Sequence, residues 1–172
     1  MKEKILIIGG TGDIAQGVIP KLSENYDIVI TYRNKDKLIN IKSYLHDQFF
    51  LNYENDSKVV ENTITNIFEK YSIKKVILAN GTMINNLLIT SSDNEISQLL
   101  TQNIQINIFL IREILKKFIK NKNDYKNIII LSSLAGDVGN KGQSVYSLVK
   151  GAMNPFTQSI AREYGNRKVI IN

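Results

Sequence analysis

Tyr146 and Lys150 stand four positions apart, a phenol and an ammonium at the spacing of one helical turn. A helix over this segment places both groups on one face. A free phenol, with a pKa of about 10, exchanges protons poorly at neutral pH. A neighbouring cation favours the phenolate, lowers that pKa and brings the hydroxyl into range for general acid–base chemistry. The pair therefore points to proton transfer.

A second constellation lies near the start of the chain. Gly9-Gly10-Thr11-Gly12-Asp13-Ile14-Ala15 follows the apolar run Ile5 to Ile8. It precedes Ile14, Ala15, Val18, Ile19 and Leu22, apolar residues at helical spacing. Glycines between a strand and a helix let the chain turn tightly and let a pyrophosphate approach the backbone. The helix N-terminus then offers unpaired N–H groups to the anion. Gly9, Thr11, Gly12, Asp13 and Ile14 are the candidates for this contact, although Asp13 suits an anion site only as a helix cap. In an NAD site an acidic residue at the end of the second strand accepts from the ribose hydroxyls. Here Tyr32 is followed by Arg33, a cation suited to a 2′-phosphate, so NADP(H) is favoured over NAD(H).

The elements that must position these groups alternate along the whole chain. Ile5–Ile8, Asp27–Tyr32, Phe49–Leu51, Lys75–Ala79, Asn127–Leu131 and Lys168–Ile171 are apolar or β-branched runs of strand type. Between them, helical periodicity marks the segment after the glycine loop, Lys35–Asp47, Val60–Tyr71, Asp93–Lys120 with a break near Thr101, and Ser144–Tyr164. Short continuous apolar strands joined by helices predict an α/β, doubly wound parallel sheet, a Rossmann fold. Pro20 and Pro155 fall inside predicted helices, where each removes a backbone donor, yet the apolar spacing continues past both. No linker or repeat divides the chain, so residues 1–172 read as one NAD(P)-binding domain.

With the glycine loop, the strand Asn127–Leu131, Ser132-Ser133 and the Tyr146/Lys150 helix, the chain resembles the short-chain dehydrogenase/reductase family. Within it the single-domain subgroup similar to 3-oxoacyl-carrier-protein reductases fits best. The family's serine ends the fifth strand thirteen positions before the tyrosine, which here is Ser133. Its central-helix asparagine matches Asn103, and Arg112 nine residues later also fits. The resemblance implies that Tyr146 protonates a substrate carbonyl oxygen as hydride arrives from a nicotinamide, with Ser133 bonded to that oxygen. It implies that Lys150 binds the nicotinamide ribose and tunes Tyr146, and that Asn103 holds a water linking Lys150 to solvent. Asn80-Gly81 after the fourth strand would lie along the riboses. Asn52 stands where an adenine-contacting aspartate is common, with Tyr53 beside it as a further cofactor candidate.

Some positions depart from the family pattern. Asp13 and Ala15 occupy the usual second and third loop glycines, a spacing shared with extended members that epimerise or dehydrate nucleotide sugars. That activity is one alternative, and a non-catalytic cofactor-binding remnant is another. The Pro-Gly turn, substrate-covering segment and seventh strand of the family find no counterpart, so a C-terminally truncated domain is expected. A homo-oligomer, dimer or tetramer, is expected if that part exists.

Bulk composition bounds the rest. The chain has no cysteine, which excludes disulfides and thiolate metal sites, and the lone His46 is read as structural on a surface helix, so no metal is expected. A net charge of +6 is spread over many lysines without a nucleic-acid motif. It suits a phosphorylated cofactor instead. No apolar run approaches the roughly 18 residues of a membrane span. The expected partner is a small carbonyl or alcohol substrate, with no nucleic acid and no membrane, in the cytoplasm.

Overall fold

A computed structural model describes residues 2–52, 56–120 and 123–172. Six strands, β1 (Glu3–Ile8), β2 (Tyr26–Tyr32), β3 (Leu45–Phe50), β4 (Lys75–Leu78), β5 (Lys126–Ile130) and β6 (Val169–Ile171), form one sheet. All neighbours pair in parallel in the order β3-β2-β1-β4-β5-β6. The chain winds outward from β1 to β3, then crosses back to β4 and winds the other way. This reversal opens a crevice beyond the C-terminal ends of β1 and β4, where open α/β sheets bind ligands.

Alternation along the buried strands divides the core in two. Leu6 and Ile8 of β1, with Val29, Val76, Leu78 and Ile128, pack against helices α2 (Ser57–Lys70), α4 (Ile106–Phe118) and α6 (Ser144–Tyr164). Ile5 and Ile7, with Ile28 and Ile30, pack against Ala15 and Ile19 of α1 (Asp13–Ser23) and against Leu38 and Ile41. Ile129 of β5 and Ile170 of β6 face the same side as Ile77 and remain exposed. Both prolines sit inside their helices, Pro20 in α1 and Pro155 in α6. None of the helices among the described residues is long and apolar enough to cross a membrane.

The segment 35–47 departs from expectation. In place of a helix it forms two 3₁₀ turns, Asp36–Asn40 and Lys42–Tyr44, and then enters β3 at Leu45. The burial of Leu38 and Ile41, three residues apart, is met by a 3₁₀ repeat as well as by an α-helix. Pairing of Ile28 with Leu45 and of Val29 with Asp47 then claims the rest for the sheet. His46 consequently belongs to an edge strand, with Nδ1 3.9 Å from Asp27 and its ring edge-on to Tyr71. The third strand is longer and earlier than Phe49–Leu51.

The break near Thr101 is real. Helix α3 (Asp93–Leu100) starts in a capping box made by Ser92 and Glu95. It passes into α4 through a π turn over Thr101–Gln105. Between β5 and α6 lies a single turn, α5 (Ala135–Val138).

Candidate active site

The glycine loop follows β1 and wraps the start of α1. Gly9 adopts φ +78°, and a Cβ there would meet the Asn80 backbone at 2.8 Å, so the loop lies directly on the end of β4. Gly12 is the N-cap in extended conformation, and no side chain caps the helix. The first-turn N–H groups thus face the crevice without a side-chain acceptor, the arrangement that receives an anion. Thr11 is buried, with its carbonyl bonded by the Gln16 amide, whereas Ile14 is exposed. Asp13 is the first helical residue and not the cap. Its exposed carboxylate pairs with Lys37 at 3.2 Å, which turns the acid away from the role of helix cap.

Asn80, directly after β4, is buried with neither Nδ2 nor Oδ1 hydrogen-bonded. Buried amides are nearly always paired, so this side chain next to the glycine loop fits a polar ligand such as a dinucleotide. Gly81 follows at φ +148°, and a Cβ on it would stand 2.6 Å from Asn103 Oδ1 and 3.6 Å from Lys150 Nζ. Only a residue without a side chain lets β4 end between these two groups.

Asn103 is fully buried in the π turn. Its Nδ2 donates to the Thr82 carbonyl at 2.9 Å and to Leu99 at 3.0 Å, and its Oδ1 accepts from the Thr82 N–H. Lys150 projects from α6 to donate to the Leu131 carbonyl at 2.9 Å, beyond the end of β5. Burial pushes its ammonium below the usual lysine range. Tyr146 lies one turn earlier on the same helix, and no hydrogen bond holds its hydroxyl among the described residues. Ser133 Oγ accepts from the Ala135 N–H at 3.2 Å, which ties it into the turn that begins α5.

Other candidates lie further from this centre. Arg33, after β2, donates to Gln102 Oε1 at 2.8 Å, so the end of β2 touches the π turn that holds Asn103. Asn52 follows β3, and Tyr53 lies outside the described residues. Arg112 is placed by α4 beside Glu113 at 2.8 Å and over the Phe109 ring. Its partners are structural, not members of the cluster.

The profile of the short chain dehydrogenase family matches residues 3–172. The chain belongs to that family. It is similar to the 3-oxoacyl-[acyl-carrier-protein] reductase FabG of Rickettsia conorii, 28% identical over 165 residues, 95% of this chain and 66% of that protein. FabG of Buchnera aphidicola subsp. Schizaphis graminum is 25% identical over 175 residues, 99% of this chain and 71% of the relative. The chain thus spans about two thirds of the length of the Rickettsia reductase. Among solved structures, ElxO with NADP bound has a TM-score of 0.86 at 24% identity, covering 100% of this chain and 72% of that one. A variant of actinorhodin polyketide ketoreductase with NADPH has a TM-score of 0.89 at 16% identity, covering 99% and 68%. These two likenesses bear on the fold.

Several contacts that shape this dehydrogenase site carry no signal of chemistry in the sequence. Gly136 of α5 and Gly151 of α6 touch backbone to backbone, and Ser132 Oγ donates to the Lys150 carbonyl at 3.1 Å. Gln143 Nε2 donates to Asn85 Oδ1 at 2.7 Å and joins the loop after β4 to the start of α6. A glycine inside a helix directly after Lys150 was the one available hint, because such a residue is unfavourable without a packing reason.

Proposed function

We propose that this short-chain dehydrogenase is an NADP(H)-dependent oxidoreductase that interconverts a carbonyl and an alcohol. The observation that carries the reading is the meeting of Lys150, Asn103 and Gly81 at the ends of β4 and β5, with Tyr146 one turn along the same helix. The names of its FabG relatives favour a 3-oxoacyl thioester as the substrate class.

The residues fit a dinucleotide. The α1 N-terminus and the Gly9–Gly12 loop receive the pyrophosphate, Asn80 and Gly81 line the riboses, and Arg33 meets a 2′-phosphate. Asn52 and Tyr53 belong to the adenine end of the same proposal. When bound, the nicotinamide supplies or accepts the hydride. Tyr146 gives its hydroxyl proton to the carbonyl oxygen during reduction and takes it back during oxidation. Ser133 donates a hydrogen bond to the same oxygen, steadying the charge that develops there. Lys150, in its charged form, favours the phenolate that remains on Tyr146 after proton transfer and binds the nicotinamide ribose. Asn103 holds the chain around Thr82 and a water beside Lys150.

The test is a Tyr146→Phe variant assayed with NADPH and an acetoacetyl thioester. Turnover is expected to fall by about 100-fold or more while NADPH binding persists. Unchanged turnover overturns the acid role, and failure of the wild-type chain to bind NADPH overturns the reading as a whole.

A further inference from the structure

Asn107 takes no part in the function proposed above, yet it is buried at the second position of α4, 4% exposed. Its Nδ2 donates to the Asn103 carbonyl oxygen at 2.7 Å. Its Oδ1 is buried with no hydrogen-bond partner. An unpaired buried amide oxygen destabilises a fold, and an aliphatic side chain would fill the same space without that cost. The residue type is therefore explained by its one hydrogen bond and not by packing.

That bond lies at an unusual point of the helix. Through the π turn, the Ile106 N–H reaches back five residues to the Thr101 carbonyl, a wider turn than the regular helix and one found mostly at functional sites. Asn103, in the middle of the turn, bonds both backbone groups of Thr82. Gly81, the residue before Thr82, is wedged between Asn103 Oδ1 and Lys150 Nζ. A continuous set of contacts thus runs from the Asn107 amide to the wall beside the Lys150 ammonium.

We propose that Asn107 is a positioning residue: its grip on the Asn103 carbonyl holds the π turn in register and thereby fixes the Asn103–Thr82–Gly81 wall against Lys150. The inference rests on Lys150 belonging to the active site proposed above. Around Lys150 the structure places the Leu131 carbonyl, the Asn103 amide and the Gly81 backbone, and burial alone accounts for its lowered pKa.

The test uses the full chain with ¹⁵N-labelled lysine, and Lys150→Arg assigns the Lys150 Nζ signal. In Asn107→Leu, which keeps the branched shape but cannot donate, the Lys150 signal is expected to titrate at higher pH than in the wild type. Turnover is expected to fall about tenfold, as a displaced reacting group implies, with the alkaline limb of the rate profile moving alongside the signal. Asn107→Ala, which has no donor for the carbonyl, should behave alike and serves if the leucine variant does not fold. A wild-type Lys150 titration in either folded variant overturns the proposal. So does rapid hydrogen exchange of the Asn107 carboxamide in the wild-type chain, which needs no variant. The titration is made without cofactor, so a wild-type chain that reduces no carbonyl would overturn the oxidoreductase reading and leave this result standing.

Discussion

Gly136 and Gly151 touch through their backbones: a Cβ on Gly151 would stand 2.7 Å from the Gly136 carbonyl oxygen, and one on Gly136 would stand 2.6 Å from the Gly151 nitrogen. This contact lays α5, which follows Ser133, against α6 one residue beyond Lys150. Gly151→Ala should gain up to about 1 kcal/mol of helix propensity, yet it must push α5 away and lose more than that. The expected outcome is a lower Tm and reduced turnover. Gly17→Ala, in α1 with nothing within 4 Å of the added Cβ, should instead raise stability by about 0.5–1 kcal/mol. Thermal unfolding of the two variants side by side decides the matter.

Lys150 is expected to tie activity and stability to pH in opposite directions. Burial lowers its pKa from the ordinary 10.5, so as pH rises the folded chain gives up this proton before the unfolded chain does. Between the lowered value and 10.5, the unfolded state binds more protons, and the Lys150 contribution to stability rises with pH. Turnover is expected to fall over the same window as the Lys150 cation that the proposed mechanism uses disappears. Lys150→Met is expected to abolish turnover and to lack this alkaline rise, which then appears as a stability difference between wild type and variant that grows with pH. Rate profiles and denaturant titrations from pH 7 to 10.5 check both.

The acid side belongs to Asp47. Its burial acts to raise the pKa, but hydrogen bonds from Lys70, the Gln48 N–H and the Tyr71 hydroxyl outweigh it and leave the carboxyl below its ordinary 3.8. Lys70 lies 2.8 Å away and Tyr71 2.9 Å. A lowered carboxylate pKa adds stability that is complete above the unfolded value and is lost as pH falls through the folded one. Asp47→Asn should lower Tm by a few degrees at pH 7 and flatten its decline below about pH 4. An identical acid decline in the variant would contradict this.

Cofactor choice should respond to Arg33. Replacement by alanine removes the cation offered to a 2′-phosphate and leaves the phosphate loop intact. A charged hydrogen bond of this kind contributes roughly 1.5–3 kcal/mol, so the preference for NADPH over NADH is expected to fall about 10- to 100-fold. Affinities for both dinucleotides, measured by fluorescence titration, test it, with NADH binding expected to stay near its wild-type level.

The alternating pattern of apolar runs and helical periodicity was enough to predict the doubly wound sheet, because burial of a strand on both faces writes itself into consecutive residues such as Ile5 to Ile8. Helix α6 was legible over Ser144–Tyr164, Pro155 included, since its long apolar face outlasts one missing donor. The segment 35–47 was not legible, because Leu38 and Ile41 satisfy two periodicities and only the pairing of β3 with β2 selects between them.

The sequence by itself also determined which groups stand together along the chain: Tyr146 with Lys150 one turn apart, and the glycine loop between β1 and α1. Tertiary structure alone decided which distant groups meet them. Gly81 lies between Asn103 and Lys150 because β4 ends where the π turn and α6 converge. Arg112, at the expected spacing from Asn103, is carried along α4 to Glu113 instead. The reason is physical: local spacing sets the direction of a side chain on its own helix, whereas its neighbours across the sheet depend on how whole elements pack. Tyr146 and Lys150 could be recognised from four residues of spacing, but the wall beside Lys150 exists only when β4, the π turn and α6 are assembled.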